Sequence, residues 1–146
     1  MYQRQLLGLA EARTAVDAIL VEASKEPDLP IAVAVVDYRG DVICLVVMDK
    51  SSPFFSRVAM NRAYTAAQNG INTLDFGKRM RDAGRTLADF GDPRYTTLQG
   101  GVCITKPSGQ EFPPAAGTVL GGIGVSGRKA DEDERLAYIG LKAMSL

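Results

Sequence analysis

The chain has 146 residues, 46% of them hydrophobic and 23% charged, with 17 Lys and Arg balanced by 17 Asp and Glu. That is the composition of one compact domain over residues 1–146, long enough to bury a core without disulfide staples. Zero net charge and zero histidine remove a protein-wide positive field for nucleic acid, the Ser-His-Asp and Cys-His nucleophile systems, the common zinc sites and a histidine ligand to haem.

No stretch has the length and apolarity of a bilayer span, and the start of the chain carries no targeting pattern. The expectation is a cytoplasmic protein with neither nucleic acid nor membrane as partner. Cys44 and Cys103 each sit inside an apolar run, as free buried thiols do in a reducing compartment.

Along the chain, Leu9, Ala12, Val16, Ile19 and Ala23 recur at helical spacing and predict an amphipathic helix over Leu6 to Ala23. Ile31 to Val36 and Val42 to Met48 are short β-branched runs joined by Asp37-Tyr38-Arg39-Gly40-Asp41, which predicts a β-hairpin. Ser56 is placed to cap a helix from Arg57 to Asn69 with a face of small residues, Ala59, Ala63, Ala66 and Ala67, stopped by Gly70. Thr73 caps a shorter helix ending near Gly84, with Lys78, Arg79, Arg81 and Arg85 on its solvated outer face.

Gly100 to Thr105 and Thr118 to Val125 read as strands around a Pro- and Gly-rich loop, and Gly121, Gly122 and Gly124 permit close backbone approach. Asp131-Glu132-Asp133-Glu134 opens the last helix with acid where the helix dipole favours it, Asp131 and Glu134 having capping-box spacing. Strands joined in consecutive pairs predict an α+β fold with a central antiparallel sheet flanked by helices on both sides.

The motifs that suggest chemistry are few. Gly122 to Gly127 matches G-x-G-x-x-G, but four acids follow it, so the glycines are assigned to close packing instead of pyrophosphate binding. Ser126 has Arg128 where a nucleophile elbow needs glycine. Asp37, Asp41 and Asp49 are assigned to turns instead of a cation, so no metal site is expected. Of the adjacent Phe54 and Phe55, one is expected to meet a ligand or a second subunit. Arg57, Arg62 and Arg94 are each suited to receive a carboxylate as a bidentate fork.

The chain also resembles the GlcG/HbpS-like family of haem-binding and haem-degrading proteins, which is related to the PduO C-terminal domain. The likeness rests on Ala59-Met60-Asn61-Arg62-Ala63-Tyr64-Thr65-Ala66-Ala67, on Gly100-Gly101-Val102-Cys103-Ile104, on Gly121 to Gly127 with Asp131-Glu132, and on Val35-Val36-Asp37 with Gly40. The resemblance implies a profilin-like fold, assembly into dimers or larger homo-oligomers, and a small-molecule pocket with haem or a related cofactor as ligand. With no histidine, an axial haem ligand would have to be Tyr, Cys or Met. Arg62 stands where the family carries Lys, and Cys103 where it carries Pro.

The expected pocket is formed by the Arg57 to Thr65 helix, the Gln99 to Cys103 strand and residues near Ser126, with Phe54, Phe55, Asn61, Gly100 and Gly101 among its ligand-binding residues. The alternative is an enzyme acting on a small organic acid of a catabolic pathway, with Arg62 or Arg57 holding the carboxylate and Asp49, Glu111 or Tyr64 moving the proton. A structural or interaction subunit is the third reading.

Overall fold

The computed structural model describes residues 1–106 and 118–146. The elements are α1 (Leu9–Ala23), β1 (Ala32–Asp37), β2 (Val42–Val47), α2 (Pro53–Asn69), α3 (Thr73–Asp82), a 3₁₀ turn (Leu87–Phe90), β3 (Gly101–Lys106), β4 (Thr118–Ser126) and α4 (Ala130–Ala143). The strands form one antiparallel sheet in the order β2-β1-β4-β3. The α+β class, the antiparallel sheet and the helices on both faces match the sequence expectation.

Alternation along the strands sorts the two faces. Val33, Val35, Val102, Ile104, Ile123 and Val125 pack with Ala12, Ala15, Val16 and Ile19 of α1 and Leu136 and Ala137 of α4. Each fully buried Val, Leu or Ile contributes about 1.5–3 kcal/mol. Ala32, Ala34 and Val36 face the other way and pack under Ala59, Ala63 and Ala67 of α2. A Cβ on Gly122 or Gly124 would run into the backbone carbonyl of Ala63 or Ala59 respectively, so α2 lies directly on the β4 backbone.

The hairpin turn is tied by Asp37, whose Oδ1 accepts the N–H groups of Arg39 (2.8 Å) and Asp41 (3.1 Å), while Gly40 takes φ 91°. Several local expectations are corrected. Helix α1 begins at Leu9, not Leu6. Helix α2 begins at Pro53, not Arg57, because Ser52 is extended (φ −63°, ψ 140°), accepts the Phe54 N–H, and is followed by proline, whose fixed φ suits the first helical position. Asn72, not Thr73, is the N-cap residue of α3, and the Thr73 hydroxyl serves the sheet instead. Lys129 precedes α4, so Asp131 and Glu134 do not form a capping box.

The two sheet edges differ. On β3 the Thr73 Oγ1 accepts the Gly101 N–H at 3.0 Å, and Asn72 Oδ1 accepts the Cys103 N–H at 2.9 Å, which closes that edge. Thr73→Val is therefore expected to leave the buried Gly101 N–H without an acceptor and to cost about 1–3 kcal/mol in a denaturant titration. Among the described residues no other element hydrogen-bonds the outer edge of β2, and Val42, Leu45 and Val47 there are exposed.

Candidate functional site

Helix α2 supplies half of the sequence-predicted residues. Its inner stripe at three-to-four spacing carries Ala59, Arg62, Ala63 and Ala66, so Arg62 is driven into the packed layer and is 6% exposed. There its Nη1 donates to the Val125 carbonyl at 2.6 Å and to Asp133 Oδ2 at 2.9 Å. Asp133, 1% exposed, also accepts the Arg128 N–H at 3.0 Å. Burial pushes the Asp133 carboxyl up to about 6, against the lowering pull of the Arg128 and Gly127 N–H groups and of Arg62.

Among the described residues one guanidinium nitrogen therefore makes all the polar contacts of the Arg62 side chain. Nε is buried without a partner, and Nη2 makes no hydrogen bond among the described residues. Gly100 lies beside this group at φ 132°, and a Cβ there would stand 2.9 Å from Cζ, Nε and Nη1. Gly101 is equally constrained, its Cβ position falling on the Arg62 backbone carbonyl. The Gly100-Gly101 pair at the start of β3 and Arg62 of α2, both expected at the pocket, are thus brought into contact. Ser126 is buried at the end of β4 opposite Ala32, next to the Val125 that Arg62 contacts.

Tyr64 sits on another side of α2. Its hydroxyl donates to Asp92 Oδ2 at 2.5 Å, and Arg94 stacks over its ring at 4.0 Å while gripping Asp92 with Nε and Nη2. Arg94, expected to receive a ligand carboxylate, receives this internal one. Desolvation, then the Asp92 bond, push the Tyr64 phenol up to about 12, while the Arg94 side chain, then the Tyr64 hydroxyl, lower Asp92 to about 2. Absorbance titration at the phenolate band should accordingly show one tyrosine that ionises only near pH 12, absent in Tyr64→Phe. Thr65 is fully buried and binds the following loop, its Oγ1 accepting the Thr96 N–H at 3.0 Å.

The remaining candidates lie apart. Phe55 packs against the alanine cluster under α2, while Phe54, one position earlier, points outward and is 64% exposed. Arg57 is exposed, and Asn61 and Gln99 are half-buried. Asp49 is exposed just past β2 and makes no hydrogen bond or ion pair among the described residues. Glu111 lies outside the described residues. Cys103 lines a cleft of about 310 Å³ with Asn72, Asp75, Thr105 and Tyr138 at the β3 edge.

Sequence reasoning missed Asp133 and Arg128. Asp133 falls on the stripe of Leu136, Ala137, Gly140 and Met144, so helical spacing alone places one of the four acids inside. The Arg128 side chain, 4% exposed, donates to the Ala23, Glu26 and Leu29 carbonyls and clamps the segment after α1 onto the β4–α4 turn. No sequence signal marked it.

The fold and the Arg62 node together define a small α+β domain with α2 seated on a glycine-lined sheet. The chain matches the model of the family described as haem-degrading protein HbpS-like over residues 7–142, and it belongs to that family. Crystallised HbpS is 31% identical over 97% of this chain and 92% of its own, with a TM-score of 0.81. A double mutant of HbpS from Streptomyces reticuli is 31% identical over 97% of this chain and 89% of its own, at TM-score 0.80. A PduOC–haem complex shares the fold, with TM-score 0.79 and 20% identity over 95% of each chain. No curated protein matches the chain.

The donor chemistry tests whether haem iron fits. Cys103 and Tyr138 share a cleft, yet burial pushes the Cys103 thiol up to about 12, so it stays protonated, and the Tyr138 oxygen accepts the Asn72 amide at 2.6 Å. Tyr64 is engaged with Asp92, Cys44, Met48 and Met60 pack against the core clusters, and Met80 and Met144 are buried. Among the described residues these donors do not converge on a cavity as an axial ligand set. An axially ligated haem does not fit them.

Proposed function

We propose that this chain is a small-molecule-binding, self-associating protein, with haem the candidate ligand and the Arg62–Gly100–Gly101 node part of the pocket. The observation that carries this reading is family membership over nearly the whole chain, combined with contact between the two motifs assigned to the pocket. A haem bound here is held by contacts to its carboxylates and ring rather than through its iron, since Cys103, Tyr64 and Tyr138 are protonated or already engaged among the described residues. The bare β2 edge, with Val42, Leu45 and Val47 exposed, supports self-association, because an uncharged edge strand is a template for pairing. A cytoplasmic location belongs to the same proposal. Among the described residues no helix is long and apolar enough to cross a membrane.

A second reading, an enzyme acting on a small organic acid, is favoured by the unpaired edge of Arg62. Its proton carrier is the weaker part, because Tyr64 holds its proton to about pH 12.

Haemin titration of the purified protein, followed by absorbance, tests the first reading. A saturable shifted Soret band at one site per chain, unchanged in Tyr64→Phe and Cys103→Ala, is the expected result. Loss of that band in either variant makes that side chain the iron ligand. Unsaturable absorbance alone removes haem and leaves the organic acid.

A further inference from the structure

We infer that the Nε–Nη2 edge of Arg62 is a carboxylate-binding site, so that the ligand of this protein is recognised through a carboxylate group. The inference rests on the small-molecule reading above and names the chemistry of its ligand. Three observations lead to it.

The first is the division of labour within the guanidinium. Nη1 is spent twice, on the Val125 carbonyl at 2.6 Å and on Asp133 at 2.9 Å. Those two bonds fix the plane of the group. The opposite edge, Nε with Nη2, offers two parallel N–H donors, the arrangement that matches the two oxygens of a carboxylate. The second is that Nε is fully buried with no partner, and Nη2 makes no hydrogen bond among the described residues. A buried donor left unmade costs about 1–3 kcal/mol, so a resident acceptor is strongly favoured there. The third is Gly100. Held at φ 132°, it leaves bare backbone where any side chain would stand 2.9 Å from Nε and Cζ.

Asp133 is a positioning residue in this arrangement. By holding Nη1 from the α4 side it orients the fork and offsets part of the buried positive charge. Of the other arginines first considered, Arg94 has its Nε and Nη2 already filled by Asp92, and Arg57 is exposed and carries no built surroundings. Arg62 alone among these three combines burial with a fork left unpaired among the described residues.

Two sources share this chemistry: the propionates of a haem and the carboxylate of a free small acid. Four probes separate them on the intact protein, namely haemin, haemin dimethyl ester, acetate and succinate. The direct readout is the Nε–H resonance of Arg62 in an arginine-selective ¹⁵N–¹H spectrum, assigned by its loss in Arg62→Lys. The lysine ammonium retains charge for Asp133 and Val125 but has no fork.

The expected result is a saturable shift of that resonance with haemin or with a small acid but not with the ester. Arg62→Lys should weaken the same binding about tenfold or more, which corresponds to about 1.4 kcal/mol. Haemin and its ester binding equally, with the resonance unmoved, overturns the carboxylate site while leaving the small-molecule reading intact. A resonance unmoved by every probe, with no binding of any, overturns both, and the Nε acceptor is then water. Should Arg62→Lys fail to fold, the wild-type resonance still decides between these outcomes.

Discussion

Replacing Arg62 with alanine is expected to cost about 3–5 kcal/mol of folding stability, because it strips from Asp133, a carboxyl that is 1% exposed, its one ion-pair partner among the described residues. Equilibrium urea unfolding measures it. The double variant Arg62→Met with Asp133→Leu removes both charges and keeps the volume apolar, so it should recover most of the loss. If the double variant is as unstable as the single one, the ion pair is not what holds α2 to α4.

The same pair sets a pH dependence. Burial raises Asp133 to about 6 in the folded protein, from its ordinary 3.8. The protonated form is the one folding favours, so this group's contribution is fully present below about pH 4 and is lost as pH rises through 6. Stability measured between those values should fall with rising pH in the wild type and flatten in Asp133→Asn. Arg62→Ala removes a lowering influence and should move the window above pH 6.

The second large effect is expected at Gly124. A methyl there collides with the Ala59 carbonyl, which is helix backbone and cannot rotate away. Gly124→Ala should lift α2 from the sheet, cost about 2–3 kcal/mol and lower Tm by roughly 6–9 °C. Gly84→Ala is the control, because nothing lies within 4 Å of its Cβ position and only its φ of 63° is strained, at about 1 kcal/mol. Equal losses at the two positions would mean that packing against α2 is not the reason for glycine in β4.

Much of this architecture is legible in the chain itself. Alternating β-branched runs around Asp37 to Asp41 specify a hairpin, because a two-residue period and turn residues act over a few positions. The alanines of α2 and the glycines of β4 are visible as two small-residue sets, and they meet because only small residues allow such an approach. The start of α2 was less legible: Ser52-Pro53 and Ser56 both carry start signals, and only the extended Ser52 backbone chooses between them.

Composition and local pattern alone determined the α+β class, the antiparallel sheet and a chain without histidine chemistry, while the family resemblance drew attention to Arg62 and the Gly100-Gly101 pair. Tertiary structure decided which side chains those residues meet. Arg62 and Asp133 are 71 positions apart, and each stands among other charged residues of its own helix. Both become special because their helices pack on the sheet through the stripes that contain them, one on each face, and converge at the Val125 end of β4. That convergence pairs one edge of a guanidinium and leaves the other without a partner among the described residues, a distinction set by orientation in space that no spacing along the chain encodes.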